Sequence, residues 1–287
     1  MESRLARFAI RAGAVLCLAF LYVPILIIVV YAFNGASIQT WPPANFTTHW
    51  VGVAWHDREV RSAFVTSMEA AIGAATIALL LGTTAAFAVH RFKFFGRNTI
   101  SFALVLPIAL PGVVTGLALN SAIGLGHSAF GLQFSLLTII IGHATFCIVV
   151  VFNNVVARLR RTSGSLVEAS MDLGAAGWQT FRYVTFPAIG TALVAGALLA
   201  FALSLDEIIV TTFTAGGQRT LPIWIYTQIN RGRALPQVNA VALFLLVLSL
   251  VPVYFAQRLA GAGERRSGGL GTGEGRSSDQ VQAAAGL

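Results

Sequence analysis

Lysine occurs once in this chain of 287 residues, at Lys93, and Phe94 follows it. A Gly-Lys-Ser/Thr phosphate loop is therefore excluded, since such a loop needs a lysine on the terminal phosphates and a hydroxyl for the metal beside it. Charge is equally scarce: 10% of residues are Asp, Glu, Lys or Arg, against about a quarter in an ordinary soluble domain. There are two cysteines, Cys17 and Cys147, both inside apolar runs, so no disulfide framework is available and neither reads as a metal ligand or nucleophile. No metal-ligand cluster and no catalytic triad stand out. The basic residues are dispersed between apolar segments without a long basic face, so a pI near 10.5 points to membrane topology and not to nucleic acid.

What the chain has is apolar length. At 56% hydrophobic residues and a mean hydropathy of +0.76, it reads as an all-α integral membrane protein. Six segments can cross a hydrocarbon core about 30 Å thick. They lie near 12–33, 64–89, 99–120, 135–156, 188–212 and 239–260, and together make one membrane domain over 12–260. The first follows Arg4, Arg7 and Arg11 and lacks a clear small-residue cleavage site, so it is expected to be retained. The tail 261–287, rich in Gly, Ser and charge, is expected to be disordered.

The connections alternate in charge. Residues 1–11, the turn with Arg91, Lys93 and Arg97, the loop with Arg158, Arg160, Arg161 and Arg182, and the tail with Arg258, Arg265, Arg266 and Arg276 hold fourteen of the nineteen basic residues. By the positive-inside rule these connections, and both termini, are cytoplasmic. The outer loop 34–63 carries Trp41, Trp50 and Trp55, most simply as interface anchors, with a lid or partner contact as the other reading.

Two spans are irregular. The third holds Pro107, Pro111 and Gly112 within six residues. Each proline removes an amide donor and crowds the preceding turn, so the helix must kink or break there. Broken helices survive in a membrane where protein or a water-filled cavity satisfies the freed backbone, so this span is expected to line the translocation pathway or a gate, with a kink used only for packing as the other reading. The fifth span holds Asp206 and Glu207. Because intramembrane acids are costly, two readings stand: a cation site in the conduit, or an ion pair or helix cap near the outer surface. Neighbours on a helix point about 100° apart, so the two acids are not expected to share one job. His143, Asn153, Asn154 and Asn120 also lie in spans, where such residues ordinarily hydrogen-bond across helix interfaces.

Between the fourth and fifth spans lies an island, 163–187, too polar to cross a bilayer. Ser165 and Glu168, three apart, predict a capping box and a helix start. Leu166, Ala169, Met171 and Leu173 give that helix an apolar side, Gly174 and Gly177 interrupt it, and Pro187 suits the start of the next span. A helix, a glycine break, a second short helix and a proline make a rigid peg suited to docking.

The order Glu168-Ala169-Ser170, Gly174, Val184, Phe186, Pro187 resembles the EAA loop of binding-protein-dependent ABC importer permeases. That pattern is Glu-Ala-Ala, three residues, Gly, nine residues, Ile-x-Leu-Pro, and every interval is kept here. Ser170, Val184 and Phe186 depart from it while conserving size or apolarity. The resemblance implies a cytoplasmic coupling helix in which Glu168, Ala169, Ser170, Asp172, Gly174 and Pro187 serve contact with an ATPase. The stretches Gly142–Cys147, Phe201–Glu207 and Val238–Ala240 are similar to the second permease of spermidine/putrescine-type importers. The implied assembly is this chain, a paralogous permease, an ATPase dimer that binds the ATP, and a periplasmic or extracellular solute-binding protein, in the bacterial inner membrane. This chain itself needs no cofactor or metal and is no enzyme. Expected cargo is a small organic cation, putrescine or spermidine, passing Asp206, Glu207, Pro107, Pro111 and Gly112. Ferric ion, thiamine or an opine are alternative cargoes. A proton-coupled secondary carrier using Asp206 or Glu207 is the reading from another class, weakened by the lack of a visible internal repeat. A purely structural membrane subunit is the third reading.

Overall fold

The computed structural model describes residues 4–37, 39, 41–43, 45–232 and 235–268. All regular structure among them is helical: α1 (Arg4–Ala32), α2 (His49–His56), α3 (Arg58–Arg91), α4 (Arg97–Ala109), α5 (Gly112–Phe130), α6 (Leu136–Arg161), α7 (Gly164–Asp172), α8 (Gly177–Thr180), a π-turn (Phe181–Thr185), α9 (Phe186–Leu205), α10 (Ile209–Thr214), α11 (Leu221–Arg231) and α12 (Leu235–Gly268). Six helical segments among the described residues are long and apolar enough to cross a membrane: Ala6–Ala32, Arg58–Arg91, Gly112–Phe130, Leu136–Arg161, Gly177–Leu205 and Leu235–Leu259. The protein is a multi-pass, all-α membrane protein.

Three segments depart from the sequence expectation. The third span, expected over 99–120, is divided: α4 stops at Ala109, Pro111 stands before α5, and the apolar stretch of spanning length is 112–130. Proline at 111 cannot donate the amide that would carry α4 onward, so the interruption expected there is a full break between two helices, and the span lies further along the chain than expected. The fifth span, expected over 188–212, ends at Leu205. Finally, α12 continues to Gly268, past the point where the disordered tail was expected to begin; the expectation for 269–287 lies outside the described residues.

The helices fall into two compact units. The first takes residues up to Met68 with 217–248. Here Asp57 caps α3, its Oδ1 accepting from the Glu59 amide at 2.8 Å while Oδ2 accepts from Gln237 at 2.9 Å. The amide of Leu221, at the head of α11, donates to Ser67 Oγ at 2.8 Å, and Leu221, Trp224, Val238 and Val241 close a small core. In the loop after α1, Trp50 donates its indole N–H to the Asn34 carbonyl at 2.9 Å, which accounts for one of the three loop tryptophans; Trp41 and Trp55 stay exposed.

The second unit takes 69–216 with α12 from Ser249. Its axis is α6, packed along α9 in the protein's largest apolar cluster, with Val151, Val155, Leu159, Ile189 and Ala200 fully or nearly buried. Close approach depends on glycine: a Cβ on Gly196 would stand 3.3 Å from the Val151 backbone, and one on Gly82 would stand 2.9 Å from the Ile148 carbonyl. Small residues at such crossings are how helices associate when lipid supplies no hydrophobic drive.

Candidate functional site

The island forms a two-part peg, with its helix starting earlier than expected. Ser163 is the N-cap of α7, its hydroxyl accepting from the Ser165 amide at 3.3 Å. Ser165 is thus not the cap, and its own hydroxyl lies 2.6 Å from that of Ser163. A cap residue needs extended backbone, which Ser163 has at ψ 129°. Glu168 consequently falls beyond the first turn and completes no capping box. The far end of α7 follows the expected pattern: Gly174 has φ +84°, its amide bonds Met171 C=O, and Ala175 N–H bonds Ser170 C=O. This pair of bonds closes a Schellman end, for which glycine is the favoured residue. Gly177, by contrast, starts α8 and interrupts nothing.

The peg is stiff where it meets the rest of its unit. Ser170 and Thr180 share a hydroxyl hydrogen bond of 3.0 Å that ties α7 to α8, a bond the alanine of the EAA pattern could not make. Phe181, in the π-turn, stacks on Trp178 at 5.4 Å and meets Phe87 of α3 at 5.6 Å and Phe186 at 6.1 Å. Pro187 sits in the first turn of α9, and Arg158 of α6 donates to the Ala188 carbonyl at 2.9 Å. Outward, the peg is uncovered. Glu168, Ala169, Asp172, Gly174 and Pro187 are exposed. So are Leu166, Met171 and Trp178, and Leu173 is 89% exposed, so the apolar side finds no seat among the described residues.

At the other end of α9, roughly 30 Å away at 1.5 Å per residue, the helix ends in Asp206, and α10 restarts at Ile209. Glu207, the residue before the N-cap Ile208, accepts from the Val210 amide at 2.8 Å through Oε1 and so caps α10 with its side chain. Of the two sequence readings, the helix cap therefore describes Glu207. Asp206 is exposed and bonded to the Ser249 hydroxyl. The two acids thus have different hydrogen-bond partners.

The second break meets this one. Gly112, first residue of α5, faces Ile209, first residue of α10: a Cβ on Gly112 would lie 3.4 Å from the Ile209 side chain. One turn on, a Cβ on Gly116 would lie 2.5 Å from the Phe213 ring, and Asn120 donates to the Phe213 carbonyl at 2.7 Å. Pro111 caps α5 and is exposed; Pro107 lies within α4, half-buried. The structure thus gathers Gly112, Asp206 and Glu207 at adjoining breaks, with Pro111 beside them and the peg residues at the opposite end of α9. Among the described residues Asn154 bonds its own helix, to Val150 C=O at 2.8 Å. Sequence reasoning left unassigned the partners that close the break, Ser204 and Thr211, although Ser204 lies in one of the stretches that carried the family resemblance.

A multi-pass helical protein with an uncovered polar peg between two spans and interrupted helices at the far end has the form of a transport subunit. The family of binding-protein-dependent transport system inner membrane components matches residues 78–266. The chain belongs to that family. It is 38% identical over 232 residues to the putrescine transport system permease protein PotI of Escherichia coli (strain K12), covering 79% of this chain and 82% of that one. To the spermidine/putrescine transport system permease protein PotC of the same strain it is 34% identical over 244 residues, covering 84% and 90%. A chain from the crystal structure of a bacterial ABC transporter that imports the acidic polysaccharide alginate superposes with a TM-score of 0.65 at 18% identity, covering 90% of this chain and 98% of that one. At that identity the likeness speaks for the fold alone.

Proposed function

We propose that this chain is one of two membrane-spanning permeases of an ATP-driven polyamine importer. Its peg seats on a cytoplasmic ATPase, and its broken helices form part of the cation path. The observation that carries the reading is the placement of an uncovered peg and an exposed, interrupted carboxylate at opposite ends of one helix, α9. Movement of the peg with a closing ATPase dimer would be transmitted along that helix to the break. ATP is held by the partner, and a solute-binding protein delivers the cargo on the opposite side. The relatives named for putrescine and spermidine support the choice of cargo. Asp206, exposed beside the break, is the side chain placed to meet an ammonium group, while Glu207 is engaged as a cap.

The side of the membrane rests on the arginines. Fourteen of nineteen basic residues lie in connections that would share one side, so both termini and the peg are assigned to the cytoplasm. A reporter fused after Gly263 is expected to be cytoplasmic and one inserted near Ala54 external; an external C-terminus would put the peg out of an ATPase's reach.

Uptake of labelled putrescine and spermidine by the full assembly tests the cargo. Asp206→Asn is expected to raise KM for the amine about tenfold, the effect of one charge-assisted contact. Glu207→Gln retains an amide oxygen able to cap α10 and is expected to change KM less. If wild type carries neither amine, the cargo assignment falls; if it does and Asp206→Asn matches it, Asp206 is structural.

A further inference from the structure

Two of the stretches that carry the family resemblance meet at a buried imidazole. His143 on α6 is fully enclosed, with Ser204 Oγ 2.6 Å from Nδ1 and Thr211 Oγ1 2.7 Å from Nε2. Ser204 belongs to the last turn of α9 and Thr211 to the first turn of α10. The ring therefore spans the interruption from a third helix, touching it on both sides.

The protons on this chain of bonds can be assigned. Thr211 has one hydroxyl proton and spends it on the Glu207 carbonyl, 2.7 Å away. Toward the ring it can only accept, so Nε2 carries the hydrogen. The neutral ring then accepts at Nδ1, and Ser204 is the donor. All three side chains are buried and every proton has one place to go, which is the condition under which a buried polar network rigidifies its surroundings. Two further contacts hold α6 against the same elements. Cys147, one turn along from His143, reaches the Ala200 carbonyl at 3.3 Å, and Thr138 lies 2.7 Å from the Thr214 carbonyl. Between the latter and His143, Gly142 lets α10 come so near that a Cβ would stand 3.1 Å from Val210.

We propose that His143 is a positioning residue of the translocation path: held as the Nε2–H tautomer, it ties Ser204 to Thr211 across the break and so fixes where Asp206 is presented and how Glu207 caps α10. Asp206 is two residues from Ser204, and the Glu207 carbonyl accepts from Thr211, so any slack in the ring's two bonds reaches both acids directly. His143 itself has no exposed surface and does not touch cargo. The proposal rests on the reading of Asp206 as the cation contact.

Solid-state 15N spectra of the full assembly carrying [15N]histidine report the tautomer, with His143→Gln identifying the signal by its loss. The Nε2–H form is expected; an Nδ1–H form overturns the proposal. In putrescine uptake, Thr211→Val is expected to raise KM about tenfold, the loss of one buried bond, with the maximum rate per assembled permease held within about twofold. In the Asp206→Asn background the same substitution is expected to add nothing to KM, because the effect passes through that carboxylate. Ser204→Ala, on the other side of the ring, repeats the measurement should Thr211→Val assemble poorly. An unchanged KM in these variants, or a full additive rise in the Asp206→Asn background, shows that the imidazole only supports packing. Absence of putrescine uptake in wild type overturns the cargo reading and with it the role given to His143 in presenting Asp206, whereas an unchanged KM beside normal wild-type uptake overturns the His143 role alone.

Discussion

The peg and the break at the two ends of α9 are both polar, and they handle polarity in opposite ways. Where α9 gives way to α10, polar groups are answered from within the chain: His143 by Ser204 and Thr211, the α10 amide by Glu207, Asp206 by Ser249. At the peg the internal bonds are those that shape it, Ser163 to Ser165, Ser170 to Thr180 and the Gly174 end. Its acids and its apolar side chains, Leu166, Leu173 and Trp178, face outward. A buried polar group without a partner costs about 1–3 kcal/mol, so the break must be self-sufficient. An exposed apolar side chain has no such compulsion, and a cluster of them on a rigid support is the surface that the proposed seating on an ATPase would cover.

That contrast can be broken most severely at Gly174. Its φ of +84° lies where a side chain is strained, yet among the described residues a Cβ there would meet nothing within 4 Å. Gly174→Leu therefore leaves the interior untouched while deforming the end of the peg, at roughly 1–2 kcal/mol of backbone strain. Uptake is expected to be abolished, with the protein inserted at wild-type level by membrane fractionation, and Glu168→Arg to act in the same direction. Normal transport in both would remove the docking assignment. Gly116 is the matching site at the break, and the outcome there is expected to differ in kind. A side chain collides with Phe213 at 2.5 Å, so Gly116→Leu is expected to cost about 1–3 kcal/mol through overpacking. Reduced thermal stability of the purified assembly and partial loss of uptake would follow. If Gly116→Leu left stability unchanged while Gly174→Leu lowered it, the contrast between the two ends would be reversed.

The peg was legible in the sequence because its signals are local. Gly174 ends a helix, Pro187 begins one, and the intervals between Glu168, Gly174 and Pro187 are a property of the chain alone. The error there was small and of the same origin: Ser163 and Ser165 are equally good caps by type, and only the extended backbone at 163 separates them. The breaks were legible as breaks, from Pro111 and the paired acids, but not as neighbours. That Gly112 lies on Ile209, or that His143 reaches both Ser204 and Thr211, depends on how α5, α6, α9 and α10 pack, and nothing in spacing encodes it. Asp206 and Glu207 could be separated by angle but not assigned, since capping of α10 required knowing that α9 stops. Helix α11 was overlooked although Pro222 in its first turn and Gly232 at φ +62° beyond its last are ordinary start and stop signals; at 11 residues it is too short to register as a span.

If the outward face of the peg seats on an ATPase, labelling at Leu173 reports it. Leu173 is 89% exposed, whereas the native thiols are Cys17, exposed, and Cys147, buried. In a Cys17→Ser background, Leu173→Cys is expected to react rapidly with a bulky maleimide when the permeases are purified without the ATPase, and to be protected at least about tenfold once the ATPase is bound. Equal reactivity in the two states would show that the outward face of the peg is not where the ATPase binds.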